Sequence, residues 1–277
     1  MNKAILNAIS RHAIAQYPSE CCGLIIRDGR RKRYMPCRNI ATTPSEHFRL
    51  APQDYAQAEE CGEIFAVVHS HPDYPATASE ADRVSCEVSG LPWHILEVRK
   101  DDEGQVYAGE LVTIKPIGYQ APLIGRAFAH GVHDCLSIIL DYYRREMAIE
   151  LGDYLREDGW WDKGGNLYLD NLPAAGFEQV NRPKQGDIVL MQIRSPVPNH
   201  AAIFLEDGML KSEPQHFPSP GTILHHLYGR DSRRDTYGGY WAEVTVSCWR
   251  HGSTMSSSPG NSKPNDRNRT AGLRKER

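Results

Sequence analysis

Two groups of side chains in this sequence have the types and spacing to do chemistry. The first is His69-Ser70-His71, with Asp82 further along and Glu20 far upstream. Residues i and i+2 of a strand share a face, so both imidazoles can reach one ion. Asp82, just inside the next helix, can swing a carboxylate toward them. Two histidines and an aspartate leave the fourth tetrahedral position of zinc for water, the arrangement of a catalytic site. Zinc lowers the pKa of such a water toward about 7 and makes it a nucleophile. The carboxylate base a hydrolase then needs has a candidate in Glu20, within Tyr17-Pro18-Ser19-Glu20-Cys21-Cys22-Gly23. The second group begins at Asp134-Cys135, ahead of an apolar helix. A cysteine at a helix N-terminus meets the positive end of the dipole, which favours thiolate. A cysteine hydrolase also takes a base and an orienting group from elsewhere in the fold. His200 opens one later strand, and His225-His226 lies on the next.

The elements that must position the first group are legible around it. Residues 2–17 read as an amphipathic helix with Ile5, Ile9, Ala13 and Gln16 on one face. A strand, Cys22–Ile26, leads to a tight turn at Asp28-Gly29, whose flanking Arg27, Arg30, Arg31, Lys32 and Arg33 read as a solvated hairpin tip. Residues 53–62 form a polar helix, and Ile64–Val68 is a strand buried on both faces that ends at the histidines. Thr77-x-x-Glu80 makes a capping box for the next helix. Residues 93–99 and 105–114 pair around a turn at Asp101–Gly104. The order is that of a mixed α/β unit over residues 1–114. The proline- and glycine-containing stretch 115–122 reads as a linker. The second unit, 123–251, has a helix from Asp134 to Leu151 and strands at 187–193, 200–206 and 222–227. Residues 252–277, almost without apolar side chains, are expected to be a disordered tail.

At 277 residues the chain exceeds the usual single-domain size, so two domains are the expectation. A net charge of -3 gives no polyanion-binding surface, so nucleic acid is not an expected partner. No apolar run approaches the roughly 20 residues that cross a bilayer, so membrane insertion is not expected. The N-terminus lacks the apolar stretch and cleavage site of a signal peptide. Seven cysteines, an odd number without a CxxC pair, argue against a disulfide framework and suit a reducing compartment. Apart from Cys135 they read as inert packing.

Glu20, His69-Ser70-His71, seven residues, Ser79, two residues and Asp82 together resemble the signature of the JAMM (MPN-plus) metallopeptidases. Over about residues 1–113 the resemblance implies zinc on His69, His71 and Asp82, Glu20 as general base, and Ser79 stabilising the oxyanion. Asp134-Cys135, Gly186-Asp187-Ile188-Val189 and Asn199-His200 leading into Glu206-Asp207-Gly208 resemble the NlpC/P60 family of papain-like peptidases. That resemblance implies Cys135 as nucleophile, His200 as base and His225 as orienter, with His226 the alternative. It also implies peptidoglycan stem peptides as substrate. The sequence departs from the pattern in three places. Leu136-Ser137 replaces the small residues that commonly follow the cysteine, and Phe128 stands where many members carry a tyrosine hydroxyl. Met209–Gly221 reads as an insertion.

The two domains in this order resemble a tail tip assembly family of lambda-type siphophages. The shared segments are Gly125-Arg126-Ala127-Phe128, Gly131-Val132-His133-Asp134-Cys135, Asp141-Tyr142-Tyr143-Arg144, and His225-His226-Leu227 leading to Ser232-Arg233-Arg234. This implies an α+β chain with other phage tail tip proteins as partners. It further implies work in the host cytoplasm during tail assembly, with the virion tail tip as a second location. Two other readings stand beside it: an assembly factor whose catalytic residues are dispensable, and a cellular JAMM isopeptidase.

Overall fold

The computed structural model describes residues 1–157 and 159–255. Helix α1 (Lys3–Gln16) starts where Asn2 Oδ1 accepts the Ile5 N–H at 2.8 Å, an N-cap that satisfies one of the helix's orphan donors. Its buried stripe is Ile5, Ile9 and Ala13. Gln16, expected on that stripe, is exposed, because an amide gains nothing from burial without partners.

The stripe covers one face of a five-stranded sheet of order β2-β1-β3-β4-β5. Its strands are β1 (Cys22–Asp28), β2 (Arg31–Cys37), β3 (Glu63–Pro72), β4 (Trp93–Lys100) and β5 (Val106–Ile114). On the α1 side lie Ile25, Ala66, Val68, Leu96 and Val98. On the other side, Leu24, Ile26, Val67 and Trp93 pack with Ala58 of α2 (Pro52–Glu60) and Cys86 of α3 (Glu80–Ser89). Cover on both faces is why the run before the histidines is apolar without alternation. Strand β3 continues past Val68 through His69-Ser70-His71 and pairs in parallel with β4. Helix α3 makes the crossover between these two parallel strands.

Two local expectations shift. The β1–β2 loop is Gly29-Arg30, one residue later than Asp28-Gly29, because Asp28 still pairs with Arg31. Gly29 carries the positive φ the turn requires, +56°. The capping box of α3 belongs to Ser79 and Asp82, not Thr77 and Glu80. Ser79 Oγ accepts from the Asp82 N–H at 3.0 Å and Asp82 Oδ2 accepts from the Ser79 N–H at 2.8 Å. An aspartate at that position closes the box as well as the expected glutamate would.

The second sheet has the order β10-β9-β8-β7-β11-β6 and is antiparallel throughout. Its strands are β6 (Phe177–Val180), β7 (Ile188–Met191), β8 (His200–Leu205), β9 (Thr222–His225), β10 (Arg233–Thr236) and β11 (Thr245–His251). Helix α4 (Cys135–Met147) packs Leu136, Ile138, Ile139, Tyr142 and Tyr143 into a core with Leu190, Ala201, Ile203 and Leu224. It stops at Met147, short of the expected Leu151, because Ala148 turns left-handed at φ 54°. Short helices α5 (Leu167–Asn171), α6 (Tyr240–Glu243) and α7 (Gly252–Met255) complete the described chain. The expected tail therefore begins with a helical turn, and its remainder lies outside the described residues. No described helix is long and apolar enough to cross a membrane.

Candidate functional site

The end of β3 and the start of α3 bring His69, His71 and Asp82 together. Ligand atoms of the three lie within 4.8 Å of one another. The separations are 3.1 Å between the two Nε2 atoms, 3.1 Å from His69 Nε2 to Asp82 Oδ1, and 3.5 Å from His71 Nε2 to Asp82 Oδ2. Two zinc–nitrogen bonds of ordinary length meeting at the tetrahedral angle put their nitrogens about 3.3 Å apart. The two nitrogens, and His69 with Asp82 Oδ1, therefore stand at separations that suit ligands of one tetrahedral ion. His71 Nδ1 donates to the Pro75 carbonyl at 2.9 Å, which fixes the tautomer that turns a lone pair on Nε2 toward an ion. His69 is buried, stacked on Phe48 at 4.7 Å and edge-on to Trp93 at 5.5 Å. Burial lowers its pKa and keeps it neutral, the ligand form. Burial works against charge on Asp82, but both imidazoles and Ser79 hold its carboxyl well below the usual range.

Glu20 stands just before β1, which pairs antiparallel with β3. Its backbone is pinned: its N–H donates to the Pro44 carbonyl at 2.6 Å and its carbonyl accepts from Asn39 at 3.1 Å. Next to it, Ser70 Oγ accepts from the Cys21 N–H at 2.8 Å. The Glu20 side chain is 6% exposed, and burial pushes its carboxyl up to about 8, with His71 opposing and Asp82 adding. It thus feels both histidine and aspartate charges of the cluster. Ser79 lies beside the cluster too, but its hydroxyl donates to Asp82 Oδ2 at 2.7 Å and is engaged as a helix cap.

In the second half, Cys135 is the first residue of α4 and Asp134 is its N-cap. Cys135, His200, His226, Arg156, Trp160 and Tyr168 all line one cavity of about 160 Å³. The thiol hydrogen-bonds the Tyr168 hydroxyl at 3.1 Å. A hydroxyl therefore does stand beside the sulfur although Phe128 replaces the usual tyrosine; it comes from α5, and no spacing in the sequence announces it. His200 Nε2 meets His225 Nδ1 at 3.0 Å, and His225 Nε2 meets Asp235 Oδ2 at 3.2 Å. His225, not His226, is the histidine joined to His200. His226 forms part of the cavity wall, edge-on to Phe128.

The electrostatics of this centre run against the helix-dipole expectation. Burial, then the neighbouring Asp134 charge, pushes the Cys135 thiol up to about 11. Burial, then the other two imidazoles, brings His200 down to about 3. Both shifts favour the uncharged forms, thiol and neutral imidazole. Two of the departures from the family pattern have structural reasons. Ser137 Oγ accepts the Asp134 N–H at 2.7 Å, so the residue following Leu136 closes a capping box. Within Met209–Gly221, the buried Glu213 accepts from Arg145 at 2.9 Å and from the Leu123 N–H, tying the segment to α4 and to residue 123. Asp235 and Arg156 are absent from any sequence expectation. Asp235 reaches His225 only because β10 pairs with β9 in the register Arg233↔His225.

The model of the prokaryotic homologues of the JAB domain matches residues 2–108, and that of the NlpC/P60 family matches residues 125–250. Over 254 residues the chain is 41% identical to tail tip assembly protein K of Escherichia phage N15, covering 91% of this chain and 96% of that protein. It is 40% identical over 204 residues to tail tip assembly protein K of Escherichia phage lambda, covering 73% and 89%. A solution structure of a protein from Desulfitobacterium hafniense is 23% identical over 42% of this chain and 89% of its own, with a TM-score of 0.30. One from Salinibacter ruber is 20% identical over 44% and 93%, with a TM-score of 0.28.

Proposed function

Because the chain belongs to the family of tail tip assembly protein K, we propose that it works in building a phage tail tip and carries two hydrolytic centres. Residues 1–114 and 123–251 are taken as their domains, joined by 115–122. Its partners are other tail tip proteins, met in the host cytoplasm during assembly, and its wall substrate is met from the virion tail tip. Matches that run through both halves of the chain leave the reading as a cellular isopeptidase without support.

The cysteine centre is proposed to cut peptide bonds in peptidoglycan stems. Cys135 Sγ attacks the carbonyl carbon while its proton passes to His200; the C–N bond breaks as that proton moves to the departing amine. Water then attacks the thioester, delivers one proton back through His200 to sulfur, and releases the acid. Drawing the proton from a thiol near 11 in a buried site requires a base held firmly beside it. The observation that carries this reading is the relay His200–His225–Asp235 behind the cavity that Cys135 lines. The first centre is proposed as a zinc-dependent (iso)peptidase. Zinc held by His69, His71 and Asp82 would supply Lewis acidity and an acidified water. Glu20, buried beside the cluster, would serve as the general base. Ser79, once released from Asp82, would donate to a carbonyl oxygen.

One observation favours a second reading, an assembly factor with an idle cysteine centre. The Cys135 thiol is bonded to Tyr168, and no hydrogen bond joins it to His200 among the described residues. Peptide release from purified Gram-negative peptidoglycan decides between them. Release by the wild type and by His69→Ala, lost in Cys135→Ala, supports a wall endopeptidase. No release from any folded, zinc-loaded form, with Cys135→Ala still assembling infectious tails, would support the assembly factor.

A further inference from the structure

The cysteine centre has a base and an orienter, but a neutral imidazole holds one N–H and one lone pair, and something must decide which nitrogen carries which. Asp235 is the group that decides. Its carboxylate can only accept, so the His225 nitrogen it meets at 3.2 Å, Nε2, must be the donor. His225 Nδ1 is then left with the lone pair and accepts from His200 Nε2 at 3.0 Å. His200 Nε2 therefore bears its proton, and the lone pair of His200 falls on Nδ1.

We infer that Asp235 is a positioning residue for the cysteine centre, acting through His225 to set the tautomer of His200 so that Nδ1 is the base toward Cys135. The inference rests on the hydrolase reading of that centre.

The surroundings are built for this part. Arg233 donates to Asp235 Oδ2 at 2.9 Å and keeps the carboxylate an acceptor. Strand β10 holds both residues opposite β9, with Arg233 across from His225. Trp241 of α6 lies edge-on to His225 at 4.7 Å and also covers His200. His225 itself is fully buried, so water does not compete for its nitrogens. Asp235 is partly open to solvent and sits on an edge strand, so its carboxylate is not needed to fill the core.

The test is carried out on the full chain with Asp235→Ala and Asp235→Asn. An asparagine oxygen still accepts the His225 N–H, whereas alanine offers nothing. Nitrogen-15 NMR of the histidine rings reads the tautomers directly. In the wild type and in Asp235→Asn, His225 should be protonated on Nε2 and His200 on Nε2. In Asp235→Ala, both signals should shift toward the other tautomer or a mixture. Peptide release should fall in kcat by about tenfold or more in Asp235→Ala with KM unchanged, and by no more than about threefold in Asp235→Asn. Tautomers that stay the same in Asp235→Ala overturn the inference. So does a tautomer shift that leaves kcat unaltered. If Cys135→Ala released peptides as fast as the wild type, the hydrolase reading would fall instead, and the ring signals would still decide whether Asp235 sets the tautomers.

Discussion

Arg156 is the side chain whose removal should reveal most about the cysteine centre. Its guanidinium meets both oxygens of Asp134, with Nε–Oδ2 at 2.5 Å and Nη2–Oδ1 at 2.9 Å, and the two side chains are 4% and 5% exposed. Arg156→Met keeps the apolar stem and leaves a buried carboxylate without its cation. Breaking a buried pair from one side costs about 3–5 kcal/mol. The lower end applies here, because Asp134 still accepts the N–H groups of Gly131, Leu136 and Ser137. The ion pair of Arg156 with the exposed Asp153 adds little. In urea, with a slope of about 1–3 kcal/mol/M, a loss near 3 kcal/mol lowers the midpoint by about 1–3 M. Tryptophan fluorescence suits the assay, since Trp160, Trp161, Trp241 and Trp249 all belong to the second half. The pH dependence has a definite sign. Although burial opposes its charge, the Asp134 carboxyl is held below its ordinary 3.8 in the folded protein, chiefly through Arg156. Its stabilisation is therefore present above about 3.8 and lost as pH falls through the lower folded value. Without Arg156, burial raises the carboxyl instead, so the mutant loses less against the wild type at pH 4 than at pH 7. The Cys135 thiol, which Arg156 helps to ionise, should also alkylate more slowly at pH 8–9 in the mutant. A loss below about 1 kcal/mol, or one equal at both pH values, would refute the account of a buried, charged Asp134.

Further predictions concern the first centre and two glycines with positive φ, Gly208 and Gly90. One zinc should bind per chain, with binding lost in His69→Ala and in His71→Ala, and at a hundredfold excess over Kd it should stabilise the wild type by about 2.7 kcal/mol. Calorimetric titration and thermal unfolding check both statements, and equal binding by the His69 variant would refute the assignment. Gly208→Ala should destabilise by about 3 kcal/mol or more, because φ is +70° and a Cβ there would lie 2.0 Å from the Ser219 backbone. Gly90→Ala, at φ +66° with open space around it, should cost only about 1 kcal/mol by the same denaturation measurement.

The parts of the site that were legible in the sequence are those set by local chain geometry. His69 and His71 share a face because β3 alternates, and Asp82 follows within the first turn of α3. Cys135 opens α4 because Asp134 is a good cap. What the sequence did not reveal depends on pairing between distant strands or on a loop folding back. Asp235 meets His225 through strand register, Tyr168 reaches the thiol from α5, and Arg156 crosses to Asp134 from an irregular segment. His225 was put ahead of His226 by resemblance alone, since adjacent strand residues face opposite ways and only the packing tells which side His200 occupies. The fold followed a similar division. Buried runs gave the strands to within a few residues, while caps shifted to whichever competitor closed the better box, as Ser79 did over Thr77.

Both candidate centres lie at the start of a helix, and in both the helix cap draws on residues of the centre itself. At α3, Asp82 Oδ2 accepts both the N–H and the hydroxyl of Ser79. Oδ1, 3.1 Å from His69, is the oxygen left for an ion. Asp82 can thus cap and ligate at once, but Ser79 cannot hold Asp82 and a substrate oxygen with the same hydrogen. Freeing that hydrogen gives up one charge-assisted bond, roughly 1.5–3 kcal/mol, while the Ser79 N–H keeps its own. At α4, Asp134 Oδ1 takes the N–H groups of Leu136 and Ser137. The positive end of that helix is already matched by a carboxylate before any thiolate forms. Burial is the main reason that a cysteine at a helix N-terminus here has a thiol pushed up rather than down, and the cap's own charge adds to it by repelling a second anion. On the proposed hydrolase reading, ionising Cys135 would therefore depend on His200 and on the relay through His225 to Asp235 that orients it.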